Sequence, residues 1–148
     1  MIHIARATSE AELNSCLKIR RVVFIEGQAV PEHEEVDGKD RDCLHYIVRD
    51  DSTALATARV LPLGDKAKIQ RVAVIDAARS GGIGSKLMRF ILNDLKQNHG
   101  FTCAVLGSQT HAIGFYEKLG YSAFGEEFEE VGIPHFSMKK CRIQTIIY

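Results

Sequence analysis

The chain has 148 residues, 45% of them hydrophobic, and its 19 basic and 19 acidic side chains cancel to a formal net charge of zero. That length suits one domain, 1–148, able to bury roughly two-thirds of its unfolded surface around a single core. Balanced charge supplies neither a basic track for nucleic acid nor a patch for an anionic membrane, so the expected partner is a small molecule or a peptide.

The start, Met1-Ile2-His3-Ile4-Ala5-Arg6, has no signal-type hydrophobic region, and no apolar run approaches the ~20 residues of a membrane span, which predicts a cytoplasmic protein. A first strand is predicted at about Ile2 to Ala7. Ser9, followed three residues later by Glu12, reads as a capping box opening a helix with Leu13, Leu17 and Arg20 or Arg21 on one face, carried on into Val22-Val23-Phe24. After Pro31, the segment Glu32 to Asp42 is acidic and turn-rich and is predicted as a loop. Its Glu32, Glu34, Glu35, Asp37 and Asp40 suit either a solvated surface or the attraction of a cationic amine.

Strands are predicted over His45 to Arg49 and Thr53 to Leu61, around a hairpin turn at Asp50-Asp51-Ser52. Pro62-Leu63-Gly64-Asp65 turns the chain into a further strand, Lys68 to Ile75. Arg59 and Arg71, in or beside these strands, suit either an acidic acceptor group or salt bridges to the acidic loop. The strand ends in Arg79-Ser80-Gly81-Gly82-Ile83-Gly84 and opens directly into an amphipathic helix, Ile83 to about Asn98, with Ile83, Leu87, Phe90, Ile91 and Leu95 on one side. Strand, glycine turn and helix in that order aim free N–H groups and a helix dipole at an anion, as a pyrophosphate site requires.

A turn at His99-Gly100 leads to a strand, Phe101 to Leu106, then to a helix around Tyr116 that Gly120 ends as a C-cap. Tyr121 to about Phe128 and His135 to about Arg142 form the last strand pair. The pattern is α/β, a mixed and mostly antiparallel sheet with helices on both faces. Cys16, Cys43, Cys103 and Cys141 are widely spread, with no C-x-x-C pair and no histidines at metal-ligand spacing. Reduced, mostly buried thiols are therefore expected, with Cys103 in the core and neither a disulfide nor a structural zinc. His3, His33 and His99 read as surface positions.

Two better-known glycine motifs fail on spacing. A dinucleotide fingerprint from Gly82 would need glycine or alanine at Leu87, and a Gly-Lys-Ser/Thr phosphate loop is absent, since Lys86 follows Ser85 and precedes Leu87. The remaining R-x-x-G-x-G resembles the acetyl-coenzyme A signature of the GNAT superfamily of N-acetyltransferases. A second block, Gln109-Thr110-His111-Ala112-Ile113-Gly114-Phe115-Tyr116-Glu117-Lys118-Leu119-Gly120-Tyr121, resembles the family's A-x-x-F-Y-x-K-x-G-F/Y helix and turn. Arg21 to Pro31, then Glu35-Val36-Asp37-Gly38-Lys39-Asp40, His45, and finally Gly132-Ile133-Pro134-His135-Phe136-Ser137-Met138 resemble the ElaA-like or YjcF-like branch. Where that branch has a glutamate before the glutamine, this chain has Gly27 before Gln28, with Glu26 one place earlier.

The resemblance implies a GNAT-like twisted sheet with a splayed central strand pair and acetyl-CoA as co-substrate, without a metal. It assigns pantetheine to the main chain of Val72, Ala73 and Val74 and pyrophosphate to the backbone amides of Arg79, Ser80, Gly81, Gly82, Ile83, Gly84 and Ser85. Tyr116 takes the place of the residue beside the cofactor thiol that acts as general acid. Acetyl transfer also needs an amine delivered neutral, and Glu26, Glu34, Glu35, Asp37, His45, His111 and His135 are all typed to take its proton; His135 stands in the branch's terminal motif. Gln109 occupies a place where many members carry asparagine against the cofactor. The expected activity is transfer of acetyl, or of a slightly larger propionyl or succinyl group, to a small-molecule or peptide amine. The alternative is an acyl-CoA-binding regulatory module without turnover, and a homodimer through the terminal strands or the apolar tail Ile143 to Tyr148 is compatible with both.

Overall fold

In the computed structural model, which describes residues 1–98 and 100–143, seven strands form one sheet in the order β1-β2-β3-β4-β5-β7-β6. The strands are β1 Ile2–Arg6, β2 Leu44–Asp50, β3 Thr53–Leu63, β4 Lys66–Val74, β5 Cys103–Gln109, β6 Ser122–Glu130 and β7 Ile133–Cys141. Every neighbouring pair is antiparallel except β4 with β5, which are parallel. Among the described residues no helix is long and apolar enough to cross a membrane. The turn proposed at His99 and the tail beyond Ile143 lie outside the described residues; Ile143 itself is buried.

Helix α1, Glu10–Arg20, opens with the capping box read from the sequence: the Glu12 amide donates to Ser9 Oγ at 3.1 Å and the Ser9 amide donates to Glu12 Oε1 at 3.2 Å. The coil continues past Arg20, as the sequence suggests, but in a wider π turn over Arg21–Glu26. Gly27 follows it because a Cβ there would lie 3.2 Å from the Val22 carbonyl oxygen. The acidic segment is not an open loop: it holds α2, Glu32–Glu35, and a 3₁₀ turn, Asp40–Asp42, and it buries Glu35.

Strand β3 runs through Pro62 to Leu63, where the sequence suggested a turn. The β2 ladder ends at Leu44 opposite Val60, so the missing Pro62 amide removes no bond on that side. Side chains alternate across the sheet. Tyr46 and Val48 join the main core beneath α3, Ile83–Asn98, and α4, Ile113–Lys118, while Ile47 packs with Cys16 of α1 on the other face. The α3 residues Leu87, Met88, Ile91 and Leu95 are essentially inaccessible, and such burial stabilises by about 1.5–3 kcal/mol per large apolar side chain.

The cysteine expectation is corrected. Cys103 and Cys141 stand opposite each other in the β5–β7 register and form a disulfide, so Cys103 is partly exposed at a strand pair rather than a reduced core thiol. Cys16 and Cys43 are free. The 38-residue separation carries no sign of this pairing; only the register of the last strand brings the two together.

Candidate active site

The parallel β4–β5 ladder runs from Lys66 opposite Cys103 to Ile69 opposite Leu106 and goes no further, although both strands continue. The cause lies in β4. Ala73 pairs with Thr57 and Gln70 with Arg59, so Arg71 and Val72 together oppose Ala58 alone, in a bulge with Arg71 at φ +57. A bulge bends its strand and raises the local twist, which carries β4 away from β5 and opens the splay.

Ile75 donates its amide to Leu55 O on the β3 side at 3.0 Å, so strand alternation turns the polar groups of Val74 and Val72 towards the gap. In agreement, Val74 O accepts from Arg79 Nε at 3.0 Å. The Val72 and Val74 side chains meet the α3-side core, whereas Ala73 packs with Ile19 and Val23 on the α1 side. Val72, Ala73 and Val74 thus contribute side chains to both cores, but only Val72 and Val74 turn main-chain groups to the gap, since those of Ala73 face Thr57 of β3.

After the 3₁₀ turn Asp76–Ala78, Ser80 and Gly82 both take left-handed backbone conformations, at φ +68 and +78. The first i to i−4 bond of α3 runs from the Lys86 amide to Gly82 O at 3.1 Å, which leaves the amides of Ile83, Gly84 and Ser85 outside the helical ladder. A Cβ on Gly84 would lie 3.3 Å from Phe115 Cζ, so glycine there lets α3 approach α4 closely. The Arg79 guanidinium is engaged by Asp76 as well as by Val74 O, and its amide donates to Asp76 O at 3.2 Å, so the expectation that the Arg79 amide holds an anion is corrected: the 3₁₀ turn already uses it. Free amides, an exposed glycine turn and a helix N-terminus beside a strand gap fit a pyrophosphate-bearing thioester.

Tyr116 lies on α4 with its ring edge-on to Phe115 at 5.0 Å and to Tyr121 at 6.0 Å. Burial pushes its phenol up to about 12, so it is fully protonated at neutral pH. Tyr121 is raised by burial and then by its neighbour Tyr116, and its buried hydroxyl has no hydrogen-bond partner among the described residues.

His135 sits on the other face of the sheet, on β7 opposite Gln109 of β5. Its ring is 7% exposed; Nδ1 donates to Ile133 O at 2.7 Å, a bond that fixes Nδ1 as the protonated nitrogen and leaves the Nε2 lone pair open. Tyr116 and His135 therefore flank the splayed pair from opposite sides. Gln109 exchanges amide hydrogen bonds with Gln28 at 2.9 and 3.3 Å, and its Oε1 accepts from His111 Nε2 at 2.7 Å. Gln28, for which sequence reasoning had no role, thereby ties the end of the π turn to the end of β5. A reciprocal amide pair joining residues 81 positions apart leaves no local sequence signal.

Three of the other base candidates, Glu35, Asp37 and His45, are occupied. Glu35 accepts from Arg20 Nε at 2.5 Å, and Asp40 accepts from Arg20 Nη1 at 2.7 Å and Arg59 Nη1 at 2.9 Å. Asp37 is held well below the usual carboxylate range, chiefly by its hydrogen bonds from Arg59. Arg71 Nη2 donates to the Glu34 and Glu35 carbonyls. His45 Nε2 bonds Asp40 O at 2.8 Å. Arg59 and Arg71 thus serve the acidic segment, and the motif acids build a buried ion network rather than a proton acceptor. Glu26 and Glu34 remain at the surface, as do His3, His33 and His111.

Residues 23–142 match the acetyltransferase (GNAT) domain family. The chain is 40% identical to protein YyaT of Bacillus subtilis over 142 residues, covering 94% of this chain and 95% of that protein. It is 33% identical to an uncharacterized N-acetyltransferase of the same organism, YjcF, over 90% of this chain and 96% of the relative. The crystal structure of Escherichia coli ElaA superposes with a TM-score of 0.85 at 30% identity, covering 95% and 99% of the two chains. With the family match over most of its length, the chain belongs to the GNAT acetyltransferase domain family, in its ElaA- and YjcF-like branch.

Proposed function

We propose that the protein is an N-acetyltransferase, a single domain over 1–148 acting in the cytosol, that moves the acetyl group of acetyl-CoA to a primary amine by direct attack. The observation that carries this reading is the end of the β4–β5 ladder at Ile69 and Leu106, with free α3 amides at one margin of the gap. Bound acetyl-CoA supplies an activated acyl thioester. The amides of Ile83, Gly84 and Ser85, with the turn Ser80 to Gly82, hold its pyrophosphate through N–H donors and the helix dipole. The gap-facing polar groups of Val72 and Val74 bond the pantetheine arm and orient the acyl carbonyl.

Tyr116 gives its hydroxyl proton to the departing sulfur. A phenol near 12 is a weak acid, but the burial that raises it raises the basicity of a thiolate formed beside it too. His135 takes the proton of the incoming amine at Nε2, its ring held by the Ile133 carbonyl.

The test follows free CoA release from acetyl-CoA with polyamines, amino sugars, amino acids and lysine peptides, against a Tyr116→Phe control. Amine-dependent release that falls about 10²-fold or more in the control, with acetyl-CoA affinity retained, supports the reading. Binding of acetyl-CoA without release by any amine counts against it and favours a regulatory acyl-CoA-binding module.

A further inference from the structure

Three side chains converge on a strand position that has none. Gly107 follows Leu106, the last β5 residue paired with β4, so it stands where the gap opens. A Cβ placed on Gly107 would lie 3.4 Å from Phe128 Cζ, 3.8 Å from Glu130 Oε2 and 3.9 Å from His135 Cδ2. The register explains the meeting: Phe128 of β6 pairs with His135 of β7, which pairs with Gln109 of β5, and strand alternation puts Gly107 and Gln109 on one face.

The chemistry of the three is complementary. The Phe128 and His135 rings stack at 5.7 Å and form an aromatic wall. The Glu130 carboxylate is half exposed, and its Oε2 lies 3.9 Å from His135 Nε2, which has no hydrogen-bond partner among the described residues. A carboxylate, an aromatic ring and a proton-accepting nitrogen around a space kept open by a glycine are what an alkylammonium group needs: charge, a cation–π contact and a route for its proton.

We propose that Gly107, Phe128, Glu130 and His135 form the ammonium subsite of the acceptor, and that Glu130 selects acceptors whose amine arrives as a primary alkylammonium ion. This assignment rests on the acetyl-transfer reading and adds the recognition residues to it. The balance is simple. The ammonium passes one proton to His135 Nε2, and the imidazolium formed there is stabilised by Glu130. The neutral nitrogen then bonds to the acyl carbon while the carbon–sulfur bond breaks, its electron pair leaving on sulfur. Sulfur takes the Tyr116 proton, and the tyrosinate recovers one from the nitrogen, leaving the amide, the free thiol and one proton on His135 for solvent.

The test needs no turnover. The imidazole signals of the isotope-labelled protein are followed by NMR during titration with n-butylammonium chloride, with sodium chloride and n-butanol as controls. Saturable movement of the His135 signals with butylammonium alone, weakened about tenfold or more by Glu130→Gln and partly restored by Glu130→Asp, supports the subsite. His135 signals that stay still, that move equally with either control, or that titrate identically in Glu130→Gln overturn it. Unchanged backbone spectra of the variants show that they are folded. Because the readout is binding, a missing CoA release would count against the transfer reading alone.

Discussion

The buried Arg59 guanidinium grips the Asp37 carboxylate with two parallel bonds, Nη2 to Oδ2 at 2.7 Å and Nη1 to Oδ1 at 3.0 Å. Asp37 is thereby held ionised far below its ordinary range, so it contributes stability above the unfolded carboxylate value near about 4. That contribution falls as pH drops from there towards the folded value. Asp40 adds to it: although its own burial opposes ionisation, Arg20 and then Arg59 hold it low. The urea midpoint is expected to decline between about pH 4 and pH 2, and Asp37→Asn to flatten the decline while lowering the midpoint at pH 7. An identical pH profile in the variant would contradict this linkage.

Arg20 is 1% exposed and Glu35 3%, so losing Glu35 leaves the buried Arg20 guanidinium with Asp40 as its remaining carboxylate partner. Glu35→Ala is expected to destabilise by about 3–5 kcal/mol, as removal of one partner of a buried pair does. Denaturant unfolding measures it, and a loss under about 1 kcal/mol would show water or Arg71 replacing the bond.

The Cys103–Cys141 disulfide closes a loop of 38 residues between β5 and the end of β7. By chain entropy such a closure stabilises by roughly 2–4 kcal/mol. Reductant is expected to lower the melting temperature of the wild type and to leave that of Cys141→Ser unchanged; superimposed wild-type melts with and without dithiothreitol would sink the expectation.

Gly82 adopts φ +78 in open space, so Gly82→Ala meets no neighbour but takes on left-handed strain of about 1–2 kcal/mol. Relief of that strain would turn the amides that open α3. Calorimetric titration with CoA is expected to show weaker binding, with little change at Gly81→Ala, whose backbone is not left-handed. Equal affinities in both variants would remove the turn from anion recognition.

Much of the fold was legible in the sequence because its signals are local. The Ser9–Glu12 capping box, the amphipathic period of Ile83–Asn98 and the Gly120 stop each rest on residues within a few positions of one another. The R-x-x-G-x-G turn and the Tyr116 block likewise announced a strand-to-helix turn and the family. What tertiary structure alone decided was which distant groups meet. Gln28 reaches Gln109, Arg59 reaches Asp37, Cys103 meets Cys141, and Phe128, Glu130 and His135 close on Gly107. Propensity and periodicity act over a turn or a strand and so can be read from neighbours in the chain. Register, the β4 bulge and the burial of charge are set by packing between elements, so no window of sequence contains them.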